Sequence, residues 1–197
     1  MMSAEAFPAD APIPPQERER LLPSLSTLAQ LTEIERRHTH AARVWAMRDA
    51  VLRRSDLMTE AFGRELHRRM FGGIWRGAGR YRTDKRGVGW EPGEIADGVT
   101  MFFDDAEAWL RYSTYPVHEA AVRLHVRLAA IRPWFNGNGR HARLVADIVV
   151  AANGEAPLTW GSRTPGDDPD EARARYLEAM RAADSGDFGP LISFALG

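Results

Sequence analysis

Two apolar-striped stretches separated by a glycine-rich break constrain this chain most. Pro116 opens the first, and Val117, Ala121, Leu124, Leu128 and Ile131 follow at alternating three- and four-residue steps. That spacing lines one face of a helix, with a proline well placed at its start. Pro133 ends it, because a proline pushes the residue before it out of helical space. A loop over Trp134–Gly139 follows. A second helix is predicted from Arg140 through Leu144, Ile148 and Val149, stopping at Gly154.

The remaining segments read as further helices around this pair. Residues 1–22 hold Pro8, Pro12, Pro14 and Pro15 among alanines and charges and read as a mobile arm. Helix is predicted from about Thr27 to Arg53 with a break near His38. Another follows a cap at Ser55 or Asp56, with Leu57, Ala61, Leu66 and Met70 on one side. Residues 72–92 then change character. Gly72, Gly73, Gly77, Gly79, Gly87 and Gly89 punctuate them, which argues for a loop with a small hairpin or extended flap. Helix returns after Pro92 through Met101, Phe102, Ala106, Trp109 and Leu110. Residues 155–169 read as a loop, and Asp168 or Pro169 starts a helix to about Asp184. A short last helix ends near Leu196. The expected fold is all-α with a short β-hairpin flap, in a single domain over 23–197.

At 197 residues there is room for one domain with a proper core. A net charge of −1 gives no global field toward nucleic acid or an anionic membrane surface, so neither is an expected partner. The absence of cysteine excludes disulfides, thiolate metal sites and thiol nucleophiles. The first twenty residues lack the pattern of a secretory signal and no apolar run is long enough to span a bilayer, which makes the cytoplasm the default compartment.

The chemistry concentrates in the break itself, Arg132-Pro133-Trp134-Phe135-Asn136-Gly137-Asn138-Gly139-Arg140-His141-Ala142-Arg143. Gly137 and Gly139 let the backbone turn tightly and let a ligand approach it. The helix that starts there directs free N–H groups and the positive end of its dipole at the loop. A phosphate is the natural occupant of such a place. Arg140 and Arg143 add bidentate donors, and Asn138 offers its side-chain amide. Two turns and two arginines suit a di- or triphosphate better than one carboxylate. Asn-Gly and Gly-Arg pairs also occur in plain helix–helix turns with solvated arginines. The spacing alone leaves both readings open.

This segment resembles the signature of the Fic (filamentation induced by cAMP) family, HxFxxGNGRxxR. Gly137, Asn138, Gly139, Arg140 and Arg143 match it, and Pro133 matches a common proline. Gly79-Arg80-Tyr81-Arg82 is similar to the run before the family's flap. Tyr115-Pro116 with Glu119, and Arg123 to Leu128, are similar to the helix before the motif. The likeness is closest to small stand-alone bacterial members. It implies a protein that moves AMP from ATP to a target hydroxyl, with the motif histidine as general base. It further implies an acidic loop residue on Mg²⁺, the Gly-Asn-Gly turn and first arginine on the phosphates, and the second arginine on the distal phosphate. The flap, here Tyr81, Arg82 and Thr83, is expected to dock a target peptide by strand-like pairing.

Three positions depart from the signature: Arg132 for the histidine, Trp134 for the phenylalanine, and Asn136 for the acidic residue. A guanidinium keeps its proton at physiological pH and cannot act as a base. It can act electrostatically where phosphate charge develops. Asn136 offers Mg²⁺ an uncharged oxygen, so metal binding is expected to be weakened. His141 should point about 100° away from Arg140 on the helix, and His118 and His125 read as structural or surface groups. Thr32 to Glu35 resembles the family's inhibitory helix, but its spacing fails. A surface pair of Glu35 with His38 or an arginine is expected instead.

The function expected is therefore a Fic-type nucleotide-binding protein, with ATP or another nucleotide as ligand and weak or absent AMP transfer. The alternatives are a phosphate-handling transferase that uses Arg132 on a protein or small molecule carrying a hydroxyl, and a regulator or interaction module without turnover.

Overall fold

The computed structural model describes residues 10–85, 87–161 and 169–197. Its elements are α1 (Pro15–Arg18), α2 (Leu28–Ala46), α3 (Asp49–Leu52), α4 (Glu60–Phe71), a 3-10 turn (Pro92–Glu94), α5 (Ile95–Arg111), α6 (Val117–Ile131), α7 (Asn138–Ala152), α8 (Pro169–Asp184) and α9 (Gly189–Leu196). The described residues form no β-strand, only the isolated bridges Pro12↔Thr27 and Leu21↔Trp75.

α6 and α7 lie at the centre, as their apolar content requires. Leu124, Leu128 and Ile131 of α6, and Ala142, Ile148 and Val150 of α7, are buried in one core. α2 and α4 cover one side, α5 another, and α8 with α9 packs against α6. At about 25 cal/mol per Å² of apolar area, burying large side chains such as Phe62, Phe71 and Phe102 contributes on the order of 2–3 kcal/mol each.

Several expected boundaries move, each for a local reason. α2 runs unbroken past His38, closed at its start by a reciprocal cap between Thr27 and Gln30, and ends at Ala46 with α3 following separately. α4 is capped by Thr59, whose hydroxyl accepts the Phe62 N–H at 3.2 Å. Asp56 instead holds Arg54 at 2.7 Å. The arm expected over 1–22 divides: residues 1–9 lie outside the described set, whereas Ile13 and Leu21 are buried. The Ile13 N–H donates to Ser26, and the Leu22 N–H to Ile74. Apolar residues between the prolines make this segment part of the core. The expected helix start at Asp168 lies outside the described residues; Pro169 begins α8.

Candidate functional site

The loop between α6 and α7 is shaped by two left-handed residues. Arg132 closes α6 with φ 52°, and Gly137 precedes α7 with φ 75°. α7 thus starts at Asn138, two residues earlier than its apolar pattern predicts. The N–H groups of Asn138, Gly139 and Arg140 open the helix, where no preceding carbonyl of the helix can take them. Asn138 was expected to offer its amide to a ligand. Instead it is buried and folded back on Trp134, donating to that residue's carbonyl at 2.8 Å and accepting its N–H at 2.9 Å. Its side chain holds the turn, and only its backbone faces the opening of α7.

A cavity of about 950 Å³ lies over this helix start. Arg132, Asn136, Gly137, Asn138, Gly139, Arg140 and Arg143 all line it, so the loop residues singled out by sequence share one wall. The opposite wall comes from Trp160 and from Arg173 and Tyr176 of α8, which sequence reasoning missed. Arg143 spans the two walls: its guanidinium carbon stands 4.3 Å from the Tyr176 ring and 5.9 Å from that of Trp160. Its buried Nε–H meets no acceptor among the described residues. The Trp160 indole N–H donates to Asp147 at 2.8 Å, and the other Asp147 oxygen takes Arg43 of α2. Nothing in the spacing of Asp147, Trp160 or Tyr176 marks them in sequence.

Residues 57–150, which contain this loop, match the model of the Fic/DOC family. The chain carries a Fic/DOC-family domain. It is 30% identical over 135 residues to the protein adenylyltransferase Fic of Drosophila willistoni, spanning 66% of this chain and 25% of that one. The protein adenylyltransferase fic-1 of Caenorhabditis elegans gives the same identity and coverage. The chain thus spans about a quarter of the length of these curated relatives. A solved fragment of C. elegans Fic-1 superposes with a TM-score of 0.62 at 25% identity, covering 81% of this chain and 46% of that one. The BepC effector of Bartonella tribocorum, solved with bound AMPPNP, shares the fold with a TM-score of 0.66 at 15% identity, covering 89% of each chain.

Within this Fic domain Arg140 already has a partner. Its Nη2 donates to Glu35 at 2.8 Å, and the other Glu35 oxygen accepts the Trp75 indole N–H at 2.7 Å. Glu35, expected at the surface beside His38, is 6% exposed and reaches the loop from α2. It meets the first motif arginine, not the second.

The flap also differs from expectation. Arg82 is buried and donates to the Arg132 carbonyl at 2.8 Å, to the Asp84 carbonyl at 2.8 Å and to the Trp90 carbonyl. Its backbone N–H reaches the Pro133 carbonyl at 2.9 Å, and that of Trp90 reaches Ile131 at 3.3 Å. The backbone N–H groups of both arms go to the end of α6 and to the motif loop, only the Arg82 side chain joins one arm to the other, and the described residues of this segment form no hairpin ladder. Tyr81 packs between Arg64, 3.8 Å from its ring, and Trp134. Only Thr83 of the three expected docking residues is exposed.

The histidines near the loop are structural. His141 accepts the Trp134 indole N–H at 3.2 Å and faces the Gly63 carbonyl at 3.0 Å, and burial lowers it to about 4. His125 contacts the Tyr176 hydroxyl at 2.9 Å, and burial, with Arg143 adding to it, lowers it to about 3. His67, without any signal in sequence, accepts the Gly79 N–H at 2.9 Å and donates to the Asn136 carbonyl at 3.1 Å. Burial, with His141 and Arg140 adding to it, holds His67 well below the imidazole range.

Asn136 turns its side-chain oxygen onto the Gly137 N–H at 2.7 Å. The loop offers Mg²⁺ no charged oxygen, and among the described residues no cluster of three His, Asp or Glu side chains stands elsewhere. This donor set does not fit a protein-held Mg²⁺. No described helix is long and apolar enough to cross a membrane.

Proposed function

We propose that this chain binds a nucleotide, with its phosphates on the opening of α7 and its base toward Trp160 and Tyr176. The observation that carries this reading is the Gly137 turn, followed at once by a helix whose Arg140 and Arg143 line the same cavity. Backbone N–H groups and a helix dipole attract the phosphate charge there, and two guanidinium groups grip it from the side. The unpartnered Nε–H of Arg143 is a donor waiting for an acceptor. Related Fic domains solved with bound AMPPNP and with bound ADP support a nucleotide as the ligand.

Transfer of AMP to a hydroxyl is slow in this reading. Arg132 stands where the family places its base, and the nearby histidines are buried and hydrogen-bonded to other groups. General-base catalysis contributes about 10²–10⁴-fold, and that factor is lost.

Calorimetry with ATP, ADP, AMP and pyrophosphate tests the binding. Arg143→Ala should weaken ATP by roughly tenfold and AMP by less, the loss of one charged hydrogen-bonding group. No heat with any of the four at millimolar ligand would overturn the nucleotide reading. Labelled ATP tests the chemistry: the native chain should label proteins weakly, Arg132→His more strongly, and Arg132→His with Asn136→Asp more strongly still. Strong labelling that survives Arg132→Ala would place the base elsewhere.

A further inference from the structure

We propose that the group accepting the nucleotidyl unit in this site is a phosphate oxyanion rather than a hydroxyl, and that Arg132 holds it. The inference rests on the nucleotide reading above and adds the second substrate. Four arginines, Arg132, Arg140, Arg143 and Arg173, line the cavity against two carboxylates, Glu17 and Asp170. Among the described lining residues there is no imidazole, amine or thiol to take up a proton near neutral pH. The carboxylates come from α1 and the first turn of α8, and each already has an interaction within the fold.

Arg132 is exposed, lines the cavity and sits next to the loop in a fixed setting. Its carbonyl is held by Arg82 at 2.8 Å. Its stem runs under Gly89, where an added Cβ would fall 2.9 Å from the Arg132 Cβ and 3.1 Å from its Cδ. A guanidinium has five N–H donors, enough to take an anion beside other contacts. A hydroxyl acceptor must lose a proton on attack and finds cations here. A phosphate oxygen has already lost its proton and gains from the same cations.

The step needs no base. An ionised oxygen of orthophosphate or a phosphomonoester attacks the α-phosphorus of ATP, and a new O–Pα bond forms. The bond from Pα to the α,β-bridging oxygen breaks, and its electron pair leaves on pyrophosphate. No proton is transferred. Orthophosphate gives ADP, and a phosphomonoester gives an ester of ADP.

The test incubates the purified chain with unlabelled ATP, magnesium chloride and ³²P-orthophosphate, or ³²P-glycerol 3-phosphate, and separates the nucleotides by anion exchange. Label should enter ADP or its glycerol-phosphate ester, with one pyrophosphate formed per label. Arg132→Gln should raise KM for the phosphate acceptor roughly tenfold or more, with a much smaller change in the ATP Kd. Arg132→Lys should recover part of the loss. If ATP binds and neither phosphate is labelled, the acceptor proposal is wrong while the nucleotide reading stands. It is equally wrong if labelling ignores Arg132→Gln, or if hydroxyls are labelled faster through Glu17 or Asp170. If ATP does not bind, both readings fall together.

Discussion

Gly137 and Gly139 flank Asn138, and alanine at each should act in opposite ways. At Gly137 the backbone has φ 75°, and a Cβ would lie 2.3 Å from two ring carbons of the fully buried Phe71. The left-handed conformation costs a non-glycine residue about 1 kcal/mol, and displacing a packed ring costs about 1–3 kcal/mol more. Gly137→Ala should therefore lose about 2–4 kcal/mol of stability. In a domain of this size that is a fall in Tm of roughly 5–15 °C. Gly139 has no heavy atom within 4 Å of its would-be Cβ, lies in the first turn of α7 and lines the cavity. Gly139→Ala should leave stability unchanged or raise it by up to about 1 kcal/mol, through the unfolded chain. Its methyl would meet a bound phosphate, so nucleotide affinity should fall roughly tenfold. Urea titrations followed by tryptophan fluorescence measure the first effect and calorimetry with ATP the second. Native stability in Gly137→Ala would refute the packing argument. Native ATP affinity in Gly139→Ala would refute the placement of the phosphates.

Two further perturbations read the charge network. Glu35→Gln keeps an acceptor for Trp75 but releases Arg140, whose side chain is 37% exposed, so the pair is partly screened and modest in worth. ATP should bind about three- to tenfold more tightly for a stability loss near 1 kcal/mol, and an unchanged ATP Kd in calorimetry would mean that Arg140 does not reach the phosphates. Acid titration by circular dichroism should show stability falling below about pH 6.5. Burial holds His67, His125 and His141 below their unfolded value, the latter two at about 3 and about 4, so the unfolded chain binds more protons in that window. Asp147, which burial raises, works in the opposite direction but is one group against three. A stability flat from pH 7 to 5 would contradict the buried neutral state of these rings.

The helices around the core were legible because α6 and α7 carry apolar residues at helical spacing and are bounded by Pro116, Pro133 and Gly154. The tight turn of the motif loop was legible for a related reason, since only glycine serves a turn like that at Gly137. Contacts between distant segments were not legible. Glu35 lies far from Arg140 in sequence, and nothing in its neighbours says that Trp75 will fix its second oxygen. Arg82 reads as an exposed flap residue until its three carbonyl partners are seen together. Asn138 was placed correctly as part of the turn, but its side chain turns inward to the Trp134 backbone because a tight turn must satisfy its own polar groups first.

Asp147 has a consequence for how such a domain can be carried from one protein to another. It lies inside the stretch that matches the Fic/DOC family, yet both of its donors, Arg43 and Trp160, lie outside that stretch, one on each side. Glu35, the partner of Arg140, also lies outside. A cassette cut at residues 57 and 150 would carry the motif loop but leave a buried carboxylate without its partners and a cavity without its far wall. The recognisable segment is thus smaller than the foldable one. Grafting the loop onto a new host would transfer the turn and the opening of α7 that the proposed nucleotide site uses; the rest of the cavity stays with the flanks.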